Sequence, residues 1–204
     1  LSDDTILAVE EAIHDETRLL RITYLMESKN RVDHIFRMLP NERIQRLLIK
    51  IQDDPEALLA EFLSLLVHVS FGFKRELGDI LAAQDESLIN RYILGVDEQG
   101  LWVDVLPVVA AMSEPSRRKV VNLPALRETS VQTNILTTAN ETGLWGQVLA
   151  LVELMGEDNR AAVAEIAGAS AISIAGPTHA ALIGEYWDIL LDLLARMPAS
   201  KHEE

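Results

Sequence analysis

The stretch that decides the fold occurs twice in succession, as SLINRYILGVDEQGLWVDVLPVVAAM over 87–112 and SVQTNILTTANETGLWGQVLALVELM over 130–155. The offset from Ser87 to Ser130 is 43 residues, with no gap. Gly100-Leu101-Trp102 falls on Gly143-Leu144-Trp145, and Leu106 falls on Leu149. Met112 falls on Met155, Arg117 on Arg160 and Val120 on Val163. A fixed period of this size marks a repeat array, in which each unit buries its apolar face on its neighbours.

The apolar residues after each Gly-Leu-Trp keep one helical spacing. Trp102, Val105, Leu106, Val109 and Met112 form a single stripe, and Trp145, Val148, Leu149, Val152 and Met155 form its copy. Trp187, Leu190, Leu191, Leu194 and Met197 repeat the pattern a third time. The expected repeat core is therefore Trp102, Leu106, Met112, Trp145, Leu149, Met155, Trp187, Leu191 and Met197. Ser87 and Ser130 are expected as N-caps, and Gly100 and Gly143 as left-handed helix stops. Each unit then reads as helix, glycine stop, Trp-to-Met helix, polar break and a third short helix over 117–123 or 160–166. Pro107 removes a hydrogen bond inside its helix and predicts a bend there, with none at Ala150. In the third copy Gly176-Pro177 is expected to break the first helix, and Glu185 replaces the glycine stop. No third helix fits after Met197, as in a terminal capping unit.

Upstream, two short helices are expected to meet at Leu39-Pro40-Asn41, the second burying Ile44, Leu47, Leu48 and Ile51. Asp53-Asp54-Pro55-Glu56 opens a helix that is apolar nearly all round over 58–69, with Phe62 and Leu66 loosely echoing Trp102 and Leu106. The acidic segment 1–16 carries a weak stripe of Ile6, Leu7, Val9 and Ile13, fitting a docked helix or a swapped arm. The chain reads as one domain without linkers. N-terminal helices and a diverged repeat fill 1–52, and a buried helix with a second diverged repeat fills 53–86. Full repeats fill 87–129 and 130–171, and a truncated capping repeat with a tail fills 172–204.

Composition narrows the function classes. The 204 residues are 49% hydrophobic and 25% charged, enough for a packed core. No cysteine is present, which rules out disulfides, thiolate metal sites and a cysteine nucleophile. A net charge of −14 argues against nucleic acid as a partner. No apolar run reaches the roughly 18 residues of a membrane span. The expected location is cytoplasmic, and the opening Leu1 leads us to expect a preceding N-terminal piece.

A 43-residue unit of two or three short helices resembles the armadillo and HEAT class of α-solenoids, most clearly over 87–197. The stretch RVDHIFRMLPNERIQRLLIKI is also similar to the helical superhelix of MgtE-type magnesium transporters. Both resemblances are of architecture, and neither carries functional residues across. The fold expected is all-α: a right-handed superhelical stack of repeats behind an N-terminal helical cap.

Candidate chemistry is sparse. The three tryptophans head apolar stripes and read as packing rather than as stacking platforms for a ligand. His68 reads as a hydrogen-bonded core histidine. Glu10 and His14, with Asp33 and His34, lack a specified third metal ligand. Ser173 and Thr178 lack the motif of an activated nucleophile. GAS at 168–170 and IAG at 174–176 lack the lysine and strand of a phosphate loop. Arg117-Arg118-Lys119 is the one basic cluster and the weak candidate for binding an acidic partner or phosphate, against the alternative of a solvated helix face. No cofactor, metal or catalytic residue is expected. The function read here is a non-catalytic protein-interaction scaffold with an unidentified protein partner. The alternatives are a small-ligand protein or enzyme with a pocket in the concave groove, and a self-associating homodimer.

Overall fold

The computed structural model describes residues 41–53, 71–169, 175–184 and 186–197. The expectations for 1–40, for the apolar helix over 58–69, and for His68, Ser173 and Glu185 lie outside the described residues.

The described chain is all helical, with ten α-helices and no strand among the described residues. They are α1 (Asn41–Asp53), α2 (Phe71–Ala82), α3 (Glu86–Glu98), α4 (Trp102–Ala111) and α5 (Glu114–Val121). After a 3-10 turn at Pro124–Arg127 come α6 (Thr129–Thr142), α7 (Trp145–Val152), α8 (Glu157–Ala169), α9 (Ala175–Gly184) and α10 (Trp187–Arg196). No helix is long and apolar enough among these residues to cross a membrane.

Glycine stops separate the paired helices. Gly100 has φ 67° and Gly143 φ 76°, the left-handed conformation in which a Cβ is costly. In both places the chain turns and the next helix begins two residues later on a tryptophan.

The principal helix pairings join elements close in sequence. α4 lies between α2 and α7, α7 between α4 and α9, and α8 between α6 and α10. These contacts bury matching positions. Leu88, Ile89, Tyr92, Ile93 and Val96 of α3 are buried, as are their counterparts Val131, Gln132, Ile135, Leu136 and Ala139 of α6. Trp102, Leu106, Val109 and Met112 are buried, as are Trp145, Leu149 and Val152, while Met155 is half-buried. In α1, Ile44, Leu47 and Leu48 turn to the core at the expected spacing.

Several expectations need correction. The cap of α3 is Asp85, whose carboxylate accepts from the Ser87 N–H at 2.8 Å, so Ser87 lies inside the first turn. Ser130 likewise falls inside α6, which starts at Thr129 behind Glu128 with no side-chain cap bond. The third helices begin at Glu114 and Glu157, three residues earlier than expected, because acids suit the positive end of a helix dipole and Pro115 suits its first turn. Gly176 and Pro177 stand in the first turn of α9 and do not interrupt it, since the missing proline N–H is an orphan there. Pro107 lies inside α4, as expected.

The third copy also departs in burial. Trp187 is 42% and Leu191 58% exposed, whereas Leu190 and Leu193 are buried and Met197 is half-buried. The reason is geometric. The α4 and α7 stripes are covered on two flanks by neighbouring helices, whereas α10 packs on α8, α9 and α7 through its Leu190–Leu193 side.

Candidate functional site

The basic cluster does not form a single surface. Arg118 is exposed and donates from Nη2 to Glu114 Oε1 at 2.8 Å, an i, i+4 pair of surface type. Lys119 points the other way, and its Nζ donates to the carbonyls of Ala82 at 2.7 Å and Gln84 at 3.0 Å. It thereby closes the end of α2, where backbone carbonyls lack helical partners. Arg117 is half-buried, and its Nε is buried with no hydrogen-bond partner among the described residues. The three adjacent cations therefore differ in setting: Lys119 caps α2, Arg118 pairs with Glu114 at the surface, and Arg117 is half-buried. Arg160, the counterpart of Arg117, reaches Asp192 of α10 at 3.4 Å. Arg196 joins the same network, from Nε to Asp192 at 2.9 Å and from Nη2 to Glu157 at 3.5 Å. These carboxylates, led by the Asp192 hydrogen bond, raise the Arg196 pKa.

Several polar groups between the helices are also engaged in structure. Asp97 Oδ1 accepts from Trp102 Nε1 at 2.7 Å and from Asn134 at 3.0 Å, tying α3, α4 and α6 together. In the second unit Asn140 stands at the Asp97 position, and the buried Trp145 Nε1 has no acceptor among the described residues. The indole instead lies against Gly176, where an added Cβ would meet Trp145 Cδ1 at 2.6 Å. Asp79 of α2 accepts from the Ser113 backbone N–H at 2.9 Å and the Ser113 hydroxyl at 2.8 Å, supplying the start of α5 with an acceptor from another helix. Burial alone would raise the Asp79 pKa, but hydrogen bonds from Ser116 and Ser113 outweigh it and hold the group below the usual carboxylate range. Burial pushes the Asp104 carboxyl upward, opposed in part by the charge of Lys74. Gln132, the buried counterpart of Ile89, donates to the Leu126 carbonyl at 3.1 Å.

A cavity of about 50 Å³ lies where α1 to α4 meet, bounded by Leu48, Leu77, Leu81, Tyr92, Val96, Trp102, Val109 and their neighbours. Its polar side-chain groups are already used: the Tyr92 hydroxyl donates to the Leu48 carbonyl and the Trp102 indole to Asp97. Burial raises the pKa of Tyr92, so the phenol stays protonated. A small, dry, apolar space of this kind lacks the convergent polar groups that orient a substrate. Among the described residues no group of three or more His, Asp or Glu side chains is placed to hold a metal. His179 is exposed on α9, and Thr178 is half-buried beside it.

The feature without an internal use is the outer side of the α9–α10 hairpin. Leu182 is 63% exposed, Ile183 72%, Trp187 42% and Leu191 58%. α9 carries no charged residue. Trp187 and Leu191 are one turn apart, and Asp188 and Ala195 are exposed within the same arc of the helix. Grouped exposed apolar residues of this size mark interaction surfaces, whereas scattered ones do not. In the sequence this surface shows only as the atypical third copy around Gly176-Pro177. No match to a family model, to a curated protein or to a solved structure was found.

Proposed function

We propose that the chain is a non-catalytic interaction scaffold: a right-handed stack of about 43-residue helical units whose contact surface is the outer face of α9–α10. The stacked reading is supported by helix pairing between close elements and by buried Trp102 and Trp145 one period apart. The observation that carries the binding reading is the exposure of Trp187 and Leu191 at the helical positions where Trp102, Trp145, Leu106 and Leu149 are covered, with Leu182 and Ile183 exposed on the same hairpin. Binding without chemistry is favoured because Asp79, Asp97 and Lys119 serve caps and helix-to-helix ties, and the polar groups at the cavity, Tyr92 and Trp102, are already bonded. Affinity capture of the full chain from native lysate at low and moderate salt, followed by mass spectrometry and light scattering, tests the proposal. One stoichiometric protein partner is the expected result. Recovery of the chain alone, as a dimer or with a bound small molecule, would overturn it.

A further inference from the structure

Resting on the interaction reading above, we infer the chemistry of the partner: the α9–α10 face docks an amphipathic helix of another protein, with an apolar stripe edged by lysine and arginine. The earlier helices of the chain supply the precedent for an apolar contact. The stripe headed by Trp102 packs between α2 and α7, and the stripe headed by Trp145 packs between α4 and α9, with its indole against Gly176. Trp187 and Leu191 hold the equivalent stripe on α10 and remain exposed, so the element that fits them is again a helix presenting apolar side chains.

The charged part comes from the rim. Among the described residues from 157 to 197 the only lysine or arginine side chains are Arg160 and Arg196, and both are bound to Asp192 or Glu157. The carboxylates of Asp158, Glu165 and Asp188 are exposed, and Asp188 lies on the face itself. Asp188 thus puts a negative charge on the face. α8, which packs on α10, adds exposed carboxylates with no unpaired cation among the described residues from 157 to 197, so a partner gains by bringing cations. The same rim disfavours a second copy of this chain, which would oppose acid to acid in a symmetric contact, and it disfavours an anionic lipid surface.

Two synthetic helical peptides of about 18 residues, alike in their leucine and alanine stripe but edged with lysine in one and glutamate in the other, separate these outcomes when titrated into the full chain. The expected result is at least about tenfold tighter binding of the lysine-edged peptide at low salt, weakening as salt rises. Leu191→Asp, at an exposed position, is expected to keep the melting temperature while weakening that peptide by about tenfold or more. Equal affinities, no binding, or binding unchanged by Leu191→Asp would overturn the inference. So would dimerisation that occludes the face, or binding to phosphatidylserine vesicles in preference to the peptide. A captured partner that depends on Leu191 while the peptides show no charge preference would leave the scaffold proposal standing and remove this one.

Discussion

Gly176→Ala is the most informative single change, because the structure fixes both its sign and its cause. The added methyl would lie 2.6 Å from Trp145 Cδ1 and 2.7 Å from Nε1, well inside van der Waals contact. The indole cannot withdraw, since Trp145 is only 4% exposed and sits between α4 and α9. Overpacking of this kind costs about 1–3 kcal/mol. Replacing a helical glycine by alanine returns at most about 0.5–1 kcal/mol. The net expectation is a destabilisation of about 1 kcal/mol, or about 2–4 °C in melting temperature for a chain of this size. A double-mutant cycle with Trp145→Leu isolates the cause. Removing the indole wall should make Gly176→Ala neutral or stabilising, giving a coupling of about 1–3 kcal/mol. Urea titrations of the four proteins provide the measurement. If Gly176→Ala stabilises the otherwise unaltered chain, or costs the same in both backgrounds, the packing of α9 on α7 is not as described.

Other changes test other parts of the account. Lys119→Met should cost about 1–3 kcal/mol by leaving the Ala82 and Gln84 carbonyls without their donor, while Arg118→Ala should cost under about 0.5 kcal/mol; thermal melts of the two variants give the comparison. Gly143→Ala should lose about 1–2 kcal/mol because φ is 76° there, and Gly143→Asn should lose less, by the same assay. Asp79 has a folded pKa below its ordinary value of 3.8, so its contribution is fully present above that value and is lost as pH falls through the folded pKa. Asp79→Asn should therefore be less stable than the unaltered chain at neutral pH, with the gap narrowing below about pH 4, as read from urea midpoints across that range.

Legibility in the sequence followed the range of the interaction. The helices beginning at Trp102 and Trp145, and the glycine stops before them, depend on local periodicity and on backbone conformation, and both were readable. The cap of α3 is ambiguous in the sequence because Asp85 and Ser87 are both good capping residues two positions apart, and only geometry distinguishes them. The roles of Lys119 and Asp79 depend on partners more than 30 residues away, so a basic triplet and a lone aspartate carried no visible sign of them. Trp187 shows the limit of pattern reading. It has the spacing of its two predecessors, but burial needs a covering element as well as a stripe, and the stripe alone does not say whether one is present. The same limit hides the α9–α10 face, where Trp187 and Leu191 carry a core-like spacing and yet are exposed.

The central claim is that this face is where the chain meets its partner. Quantitative affinity capture with the unaltered chain and with Leu191→Asp, after matching their melting temperatures, tests it directly. The account requires that the unaltered chain retain a stoichiometric protein partner and that Leu191→Asp lose it while remaining folded. Retention of the partner at the same stoichiometry by both proteins would contradict it.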